Sequence, residues 1–314
     1  MNNILKPPVP FRGIITPMIT PLTSNETIDL ENLKRLIKHL IDGGVHAIFI
    51  LGTTGEGASL SYKLKYELIN VTCEYVKSRV PVFVGITDSS FQEGIYLSKI
   101  AESAGASAVV AALPYYFSLG QNEIINYFKK LADNVNLPLF MYNIPSQTKI
   151  MIEAETVKTL SSHPQIVGIK DSSGNAPYFN TLLYLLKDNK SFSILVGPDE
   201  MMASTVLLGG NGGVNSGSNL FPRLFVDLYN AAASGDLEKV SDLQEKVMAI
   251  SVKIYQTEKC GVSFLKGLKT ALYLSGFCGT SLASPLSCYE EKEVAVIREN
   301  LLFLNQIIGT EPEL

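Results

Sequence analysis

The sequence predicts an α/β protein of the (β/α)8 class, a TIM barrel, with a helical extension at its C-terminal end. Three observations predict it. Short apolar, β-branched-rich runs recur along the chain, each followed by a segment of helical periodicity. There are eight such alternations, the number that closes a parallel barrel. Beyond Gly235 the strand signal stops and only helical patterns remain.

The elements follow in order. Gly13–Met18 reads as the first strand and leads to the helical stretch Leu30–Ile41. Ala47–Leu51 leads to Ser61–Lys77, where Leu64, Leu68, Val71 and Tyr75 share one apolar face. Val82–Ile86 precedes Gln92–Ala104, Ala108–Leu113 precedes Gln121–Asn134, and Leu139–Tyr142 precedes Glu153–Ser161. Ile166–Lys170 precedes Pro177–Leu186, Ser193–Gly197 precedes Met201–Leu208, and Gly212–Asn215 precedes Pro222–Ala233. Residues 1–233 are therefore expected to form a barrel catalytic domain, near the usual size of about 250 residues. Leu237–Ile254, Val262–Leu274 and Glu290–Ile308 read as helices, with a Gly-, Ser- and Pro-rich loop over Gly276–Ser287. Residues 234–314 are expected to pack on the barrel as a helical extension, either a cap or an oligomerisation element.

Composition narrows the function. The 314 residues are 46% hydrophobic and 18% charged, enough for a large core. A net charge of −4 and the lack of a basic run speak against nucleic acid as partner. No apolar run approaches the roughly 18 residues of a membrane span, and the N-terminal MNNILKPPVPF lacks a secretory core. A soluble, cytoplasmic protein without membrane contact is expected. Cys73, Cys260, Cys278 and Cys288 show no CxxC spacing, which fits free thiols in a reducing compartment.

In such a barrel, catalytic groups come from the C-terminal strand ends and the loops after them. Lys170 ends the run Ile166-Val167-Gly168-Ile169 and precedes Asp171-Ser172-Ser173-Gly174. Burial favours the neutral form of a lysine, a nucleophile toward carbonyl carbon. The plainer alternative is a lysine reaching back to solvent. After the second strand, Gly52-Thr53-Thr54-Gly55-Glu56-Gly57 lets amides and hydroxyls converge on an anion such as a carboxylate. A tight loop with Thr as a helix cap fits equally. Pro114-Tyr115-Tyr116-Phe117 follows the fourth strand, either as rim packing or to carry a phenol into a site.

The fifth strand ends in Met141-Tyr142-Asn143-Ile144-Pro145, one strand from Lys170. Tyr142 can relay protons there or simply pack across the barrel top. Asp199 and Glu200, in Gly197-Pro198-Asp199-Glu200, can bind substrate hydroxyls, or Asp199 can cap the next helix. The glycine-rich run 209–219 permits close backbone approach to a ligand, including a phosphate. His46 opens the second strand at the opposite face, and His39 and His163 lie in helical or loop segments. No metal cluster is expected, which argues against a zinc-dependent aldolase.

With these residues in view, the chain resembles the dihydrodipicolinate synthase / N-acetylneuraminate lyase family of class I pyruvate-dependent aldolases. The resemblance runs from Gly13-Ile14-Ile15-Thr16-Pro17 to the C-terminal helices. Its most specific parts are Gly52-Thr53-Thr54-Gly55-Glu56, Tyr142-Asn143-Ile144-Pro145 and Gly168-Ile169-Lys170-Asp171, in that order. The resemblance implies that Lys170 condenses with the keto carbon of pyruvate or another 2-keto acid. The resulting imine, a Schiff base, acts as the electron sink, with no metal or organic cofactor. It implies that Thr53, Thr54 and loop amides such as that of Gly52 hold the keto-acid carboxylate, and that Tyr142 shuttles the proton. Tyr116 is implied to cross a subunit interface and complete a neighbour's relay with Thr53. Val214 is implied to turn its carbonyl toward the lysine. The partners implied are a 2-keto acid, an aldehyde and further copies of the chain in a homotetramer or homodimer.

Two departures bear on substrate. In the synthase branch the segment after the tyrosine reads Asn-Val-Pro-Ser-Arg, and that Arg binds the far carboxylate of the aldehyde. Here it reads Asn143-Ile144-Pro145-Ser146-Gln147. Gln147 offers no charged fork, a loss of about 1.5–3 kcal/mol for a carboxylate. Gly197-Pro198-Asp199-Glu200 is similar to the element with which the sialate lyase branch binds a polyhydroxylated chain, and Ser216 falls where that branch has a hydroxyl-binding Ser. That branch commonly has Ser in place of Thr53. The expected pocket takes a 2-keto-3-deoxy sugar acid or a similar hydroxylated 2-keto acid. The expected activity is a lyase that cleaves or forms a C–C bond beside a pyruvate unit. Alternatives are dihydrodipicolinate synthase, dehydration or decarboxylation of a sugar acid through the same imine, and a non-catalytic keto-acid sensor. The presence of Lys170, Tyr142 and both threonines argues against the sensor, since binding alone needs no imine.

Overall fold

Eight parallel strands pair side by side into a closed barrel in the computed structural model, which describes residues 7–24, 27–258 and 261–310. They are β1 (Gly13–Pro17), β2 (Ala47–Ile50), β3 (Val82–Gly85), β4 (Ala108–Ala112), β5 (Leu139–Asn143), β6 (Ile166–Asp171), β7 (Ser193–Val196) and β8 (Gly212–Val214). Helices α1 (Leu30–Asp42), α2 (Tyr62–Val76), α3 (Phe91–Ala104), α4 (Gln121–Asn134), α5 (Ala154–Leu160), α6 (Ala176–Leu185), α7 (Met202–Leu207) and α8 (Pro222–Ser234) follow the strands. Side-chain oxygens start several of them. Asp29, Ser61, Ser90 and Asn175 each accept from an amide in the first turn of α1, α2, α3 and α6.

Alternation along the strands sorts the core into two parts. Inward side chains, among them Ile15, Phe49, Phe83, Val110, Phe140 and Leu195, fill the barrel axis. Outward side chains join a larger cluster beneath the helices. Register then places the chemistry. Tyr142 of β5 pairs with Lys170 of β6, and Asn143 with Asp171. The first pair faces the barrel interior. The second faces the helices, where Asn143 Nδ2 donates to Asp171 Oδ1 at 2.8 Å. Gly168 is required two residues before the lysine, since a Cβ there would sit 2.6 Å from the Phe140 ring.

Past the barrel lie α9 (Leu237–Ile250), which continues into a π-helical turn over Ser251–Tyr255, then α10 (Ser263–Leu274) and α11 (Glu291–Ile308). Val247, Ile254, Leu268, Leu272, Ile297 and Leu304 of this extension belong to the same buried cluster as the outer face of the barrel. Two short elements differ from the sequence-based reading: an antiparallel hairpin of Leu22–Ser24 with Thr27–Ile28, and a one-turn helix over Pro145–Thr148. Both are too short for a periodic signal. No helix among the described residues is long and apolar enough to cross a membrane. Cys73, Cys278 and Cys288 are free thiols, and Cys260 lies outside the described residues.

Candidate active site

Lys170 is 6% exposed at the end of β6, and its Nζ lies 4.0 Å from the centre of the Tyr142 ring and 5.5 Å from that of Phe49. Val214 of β8 and Leu195 of β7 line the same small void on the barrel axis. Tyr142 Oη lies 3.3 Å from Thr53 Oγ1. Burial pushes the Tyr142 phenol up, but the Lys170 charge and hydrogen bonds with Thr53, Ser172 and Lys170 outweigh it, leaving the phenol below its ordinary value. A buried phenol of lowered pKa, touching a lysine on one side and a hydroxyl on the other, is equipped to take and return a proton.

The loop after β2 is held in a strained shape. Leu51 and Glu56 adopt left-handed φ of 59° and 58°, and a Cβ on Gly57 would lie 2.2 Å from the Leu51 carbonyl oxygen. Four attachments fix it. Thr20 Oγ1 donates to the Gly55 carbonyl at 2.7 Å. Thr54 Oγ1 lies 2.9 Å from Ser216 Oγ. Glu56, with a fully buried carboxylate, pairs through Oε1 with Lys269 of α10, itself 1% exposed. Its Oε2 accepts from the Ala283 amide at 2.6 Å. The extension therefore reaches under the barrel mouth and grips the loop that carries Thr53 and Thr54.

Asp199 and Glu200 are engaged elsewhere. Asp199, 4% exposed, accepts from the Ser216 amide through Oδ1 at 2.9 Å. Through Oδ2 it accepts from the Gly217 amide at 2.9 Å and the Tyr255 hydroxyl at 2.6 Å. Burial pushes its carboxyl up to about 6, against the Tyr255 and Gly217 hydrogen bonds. Asp199 thus fastens the loop after β8 from beneath. Glu200 Oε1 accepts from Ser251 Oγ of the extension. Ser216 is joined to Thr54 and Asp199, so one chain of contacts runs from Tyr255 to the Thr53–Thr54 loop.

On the other flank a cavity of about 360 Å³ opens beside Tyr142, Thr53 and Gly52. Gln147, on the one-turn helix after β5, stands at its edge, and Phe264, Leu265 and Leu286 come from the extension. Tyr116 is 79% exposed at the rim, its ring 5.0 Å from that of Phe117. Lys170, Tyr142, Thr53, Gly52 and Val214 gather at the mouth, with Thr54 and Ser216 fastened beside them. Tyr116, Asp199 and Glu200 do not face the lysine. Glu56, Lys269, Tyr255 and Ser172 were missed by the sequence reading as site residues. Glu56 stands within a motif already singled out, whereas Lys269 and Tyr255 carry no local signal. No group of three or more His, Cys, Asp or Glu side chains able to hold a metal occurs among the described residues.

Residues 10–301 match the Dihydrodipicolinate synthetase family. A structure of dihydrodipicolinate synthase from Bacteroides thetaiotaomicron superposes with a TM-score of 0.92 at 50% identity, covering 94% of this chain and 99% of that one. The 4-hydroxy-tetrahydrodipicolinate synthase of Methanocaldococcus jannaschii is 33% identical over 294 residues, 93% of this chain and 98% of its own length. The putative 2-dehydro-3-deoxy-D-gluconate aldolase YagE of Escherichia coli K12 is 32% identical over 291 residues, 92% of this chain and 95% of its own. The crystal structure of YagE in complex with pyruvate superposes with a TM-score of 0.89 at 31% identity, covering 94% of this chain and 99% of that one.

Proposed function

The chain belongs to the Dihydrodipicolinate synthetase family, and on that premise we propose that it is a class I carbon–carbon lyase working on pyruvate, or a 2-keto acid containing a pyruvate unit, through an imine on Lys170. Relatives named as synthases and as a 2-keto-3-deoxy acid aldolase, and one solved with pyruvate, support the reaction class. The observation that carries the assignment of residues is the pairing of Tyr142 with Lys170 across β5 and β6, with Nζ against the phenol ring and Thr53 on its far side.

The steps follow from that geometry. The Lys170 amine attacks the keto carbon, its two protons pass through Tyr142 to the departing oxygen, and water leaves to form the imine. In the cleavage direction, Tyr142 takes the proton of the hydroxyl on the carbon that departs as aldehyde. The electrons of the broken C–C bond pass to the imine nitrogen, forming an enamine. Protonation of the enamine carbon and hydrolysis release pyruvate and free the lysine. Synthesis runs the same steps backwards. Thr54 and the amides of the Gly52–Gly57 loop hold the keto-acid carboxylate, and Ser216, Asp199 and Glu56 position that loop. Tyr116, exposed at the rim, reaches a neighbour's Thr53 in a homodimer or homotetramer.

Borohydride reduction in the presence of pyruvate is expected to leave one pyruvate-derived mass on Lys170. A protein without adduct, or with the adduct on another residue, rejects the reading. A second reading is 4-hydroxy-tetrahydrodipicolinate synthase itself, favoured by the relatives that carry that name. Gln147 in place of a carboxylate-binding Arg opposes it, and turnover with aspartate semialdehyde decides it.

A further inference from the structure

Two residues stand directly behind the reacting pair. Side chains alternate along a strand, so Asn143 and Asp171, each one position past Tyr142 and Lys170, point out of the barrel from the next rung. Both are buried, at 1% and 0% exposure. The main-chain ladder between β5 and β6 reaches its end here, with the Ser172 amide donating to the Asn143 carbonyl at 2.8 Å. Beyond it the strands part. β5 runs into Pro145, which has no amide hydrogen to extend a ladder, and into the one-turn helix, while β6 runs into the loop before α6. The bond from Asn143 Nδ2 to Asp171 Oδ1, 2.8 Å long, joins the two tips at the point where they would otherwise splay.

Both side chains are held on every side. Asn143 Nδ2 also lies 3.3 Å from Met151 Sδ, and its Oδ1 accepts from the Ile152 amide at 3.1 Å. Asp171 accepts through Oδ1 from the Ser173 amide at 3.1 Å and through Oδ2 from Ser173 Oγ at 3.0 Å. These donors are all neutral. Burial pushes the Asp171 carboxyl up, against the hydrogen bonds from Asn143 and Ser173. A buried carboxylate held by neutral donors is sensitive to the loss of any one of them, because nothing else compensates its charge. The β6 tip is tied on its other edge too, where the Gly197 amide donates to the Asp171 carbonyl at 2.7 Å.

We infer that Asn143 and Asp171 are positioning residues for the Lys170 chemistry: their bond outside the barrel sets how Tyr142 faces Lys170 inside it. The inference rests on the imine reading above and deepens it. Neither side chain faces the barrel interior, so the bond governs proton transfer through Tyr142 and leaves the Thr53–Thr54 loop, which holds the carboxylate, unchanged. A misplacement of about 1 Å between reacting groups costs about a hundredfold in rate. Asn143→Asp sets two carboxylates against each other, and one of them must turn away or take a proton. Asn143→Asp combined with Asp171→Asn exchanges donor and acceptor and restores the bond. Position 143 then still offers Ile152 an oxygen, and position 171 still offers Ser173 one.

The test needs pyruvate alone: exchange of its methyl protons for deuterium in D2O, followed by NMR on the full-length protein. The Lys170 imine gives up a methyl proton to become an enamine, takes a deuteron at the same carbon, and is hydrolysed to deuterated pyruvate and free amine. Borohydride trapping runs in parallel. We expect Asn143→Asp to lower kcat for exchange at least about tenfold with KM within about threefold, and the swapped double variant to return kcat to within about threefold of wild type. Tyr178→Phe removes the hydroxyl that donates to the Ile152 carbonyl at 2.6 Å. It is expected to lower stability and to keep kcat within about twofold. A folded Asn143→Asp protein with wild-type kcat overturns the inference, as does a double variant that regains stability without regaining kcat. An equal loss of kcat in Tyr178→Phe overturns it too, because general loosening then accounts for the effect. Asn143→Ala stands in if Asn143→Asp does not fold, and failure of both to fold means that the bond holds the fold and not the reacting pair. Each of these outcomes leaves the imine reading intact where wild type carries the Lys170 adduct. Wild type without that adduct rejects the imine reading and this inference with it.

Discussion

The two flanks of the barrel mouth are built on opposite principles. On the Thr53–Thr54 flank, the polar groups that fix the loops have stated partners: Thr54 has Ser216, Asp199 has two amides and a phenol, and Glu56 has Lys269 and Ala283. On the Gln147 flank the wall is largely apolar, the cavity is open, and Gln147 and Tyr115 are exposed. A network with its donors and acceptors satisfied has one low-energy arrangement, and a change in any member is felt by the rest. An apolar wall without directional bonds tolerates exchange of one side chain for another of similar volume. The comparison teaches where the molecule is sensitive to substitution: on the proposed function the keto-acid carboxylate is held by the inflexible flank, while the Gln147 flank is the one free to vary.

The largest effects are expected where the flanks meet. Lys170→Met keeps the volume inside the barrel and removes the nucleophile. Pyruvate-dependent turnover should fall by at least about a thousandfold and the borohydride adduct should vanish, with circular dichroism unchanged. Tyr142→Phe keeps the ring and removes the relay, for a loss in kcat of about 10²–10⁴. If Tyr142→Phe changes KM alone, the phenol is a wall and not a relay.

Next in size is the Glu56–Lys269 pair, which ties the extension to the inflexible flank. Lys269→Met leaves a buried carboxylate without its counter-charge, at a cost of about 3–5 kcal/mol. Glu56→Gln with Lys269→Met removes both charges, and the double variant should be more stable than Lys269→Met alone in urea denaturation. A pair that only staples the fold moves stability and leaves KM untouched. A pair that positions the Thr53–Thr54 loop also raises KM for pyruvate, whereas Leu286→Ala on the adaptable flank should leave that KM within about twofold.

How much of this was legible in the sequence differs between the same two flanks. The barrel was readable because each strand is a separate apolar run between turn signals, and Lys170 and Tyr142 were readable because they end two such runs. Adjacent strands then put them side by side. The fastening of the loop was not readable. Glu56 meets Lys269 across 213 residues, and Asp199 meets Tyr255 across 56, separations with no periodic or motif signature. The sequence left Asp199 open between hydroxyl binder and helix cap, and its carboxylate instead accepts from two amides of the loop after β8. The cavity wall was equally hidden, since a helix that supplies Phe264 and Leu265 to a pocket looks in sequence like one that merely packs.

The smallest expected effect tests how far the inflexible flank depends on the Asp199 charge. Its folded carboxyl, raised to about 6 by burial, lies above the unfolded value of about 3.9. The folded state therefore holds that proton more tightly than the unfolded state. The associated stability is complete below about pH 4 and is lost as the pH rises through about 6, a change of about 3 kcal/mol. Asp199→Asn abolishes this titration, so wild type should lose stability relative to the variant between about pH 4 and 6, and the difference should be flat above about 7. Tyr255→Phe removes one donor to the charged form. The same loss should then fall at higher pH than in wild type, with a cost near neutrality of about 1.5–3 kcal/mol. Denaturation midpoints at a series of pH values measure both. Parallel wild-type and Asp199→Asn curves across that range would mean that the loop after β8 is held without the charge, and that the two flanks differ less than their hydrogen bonds suggest.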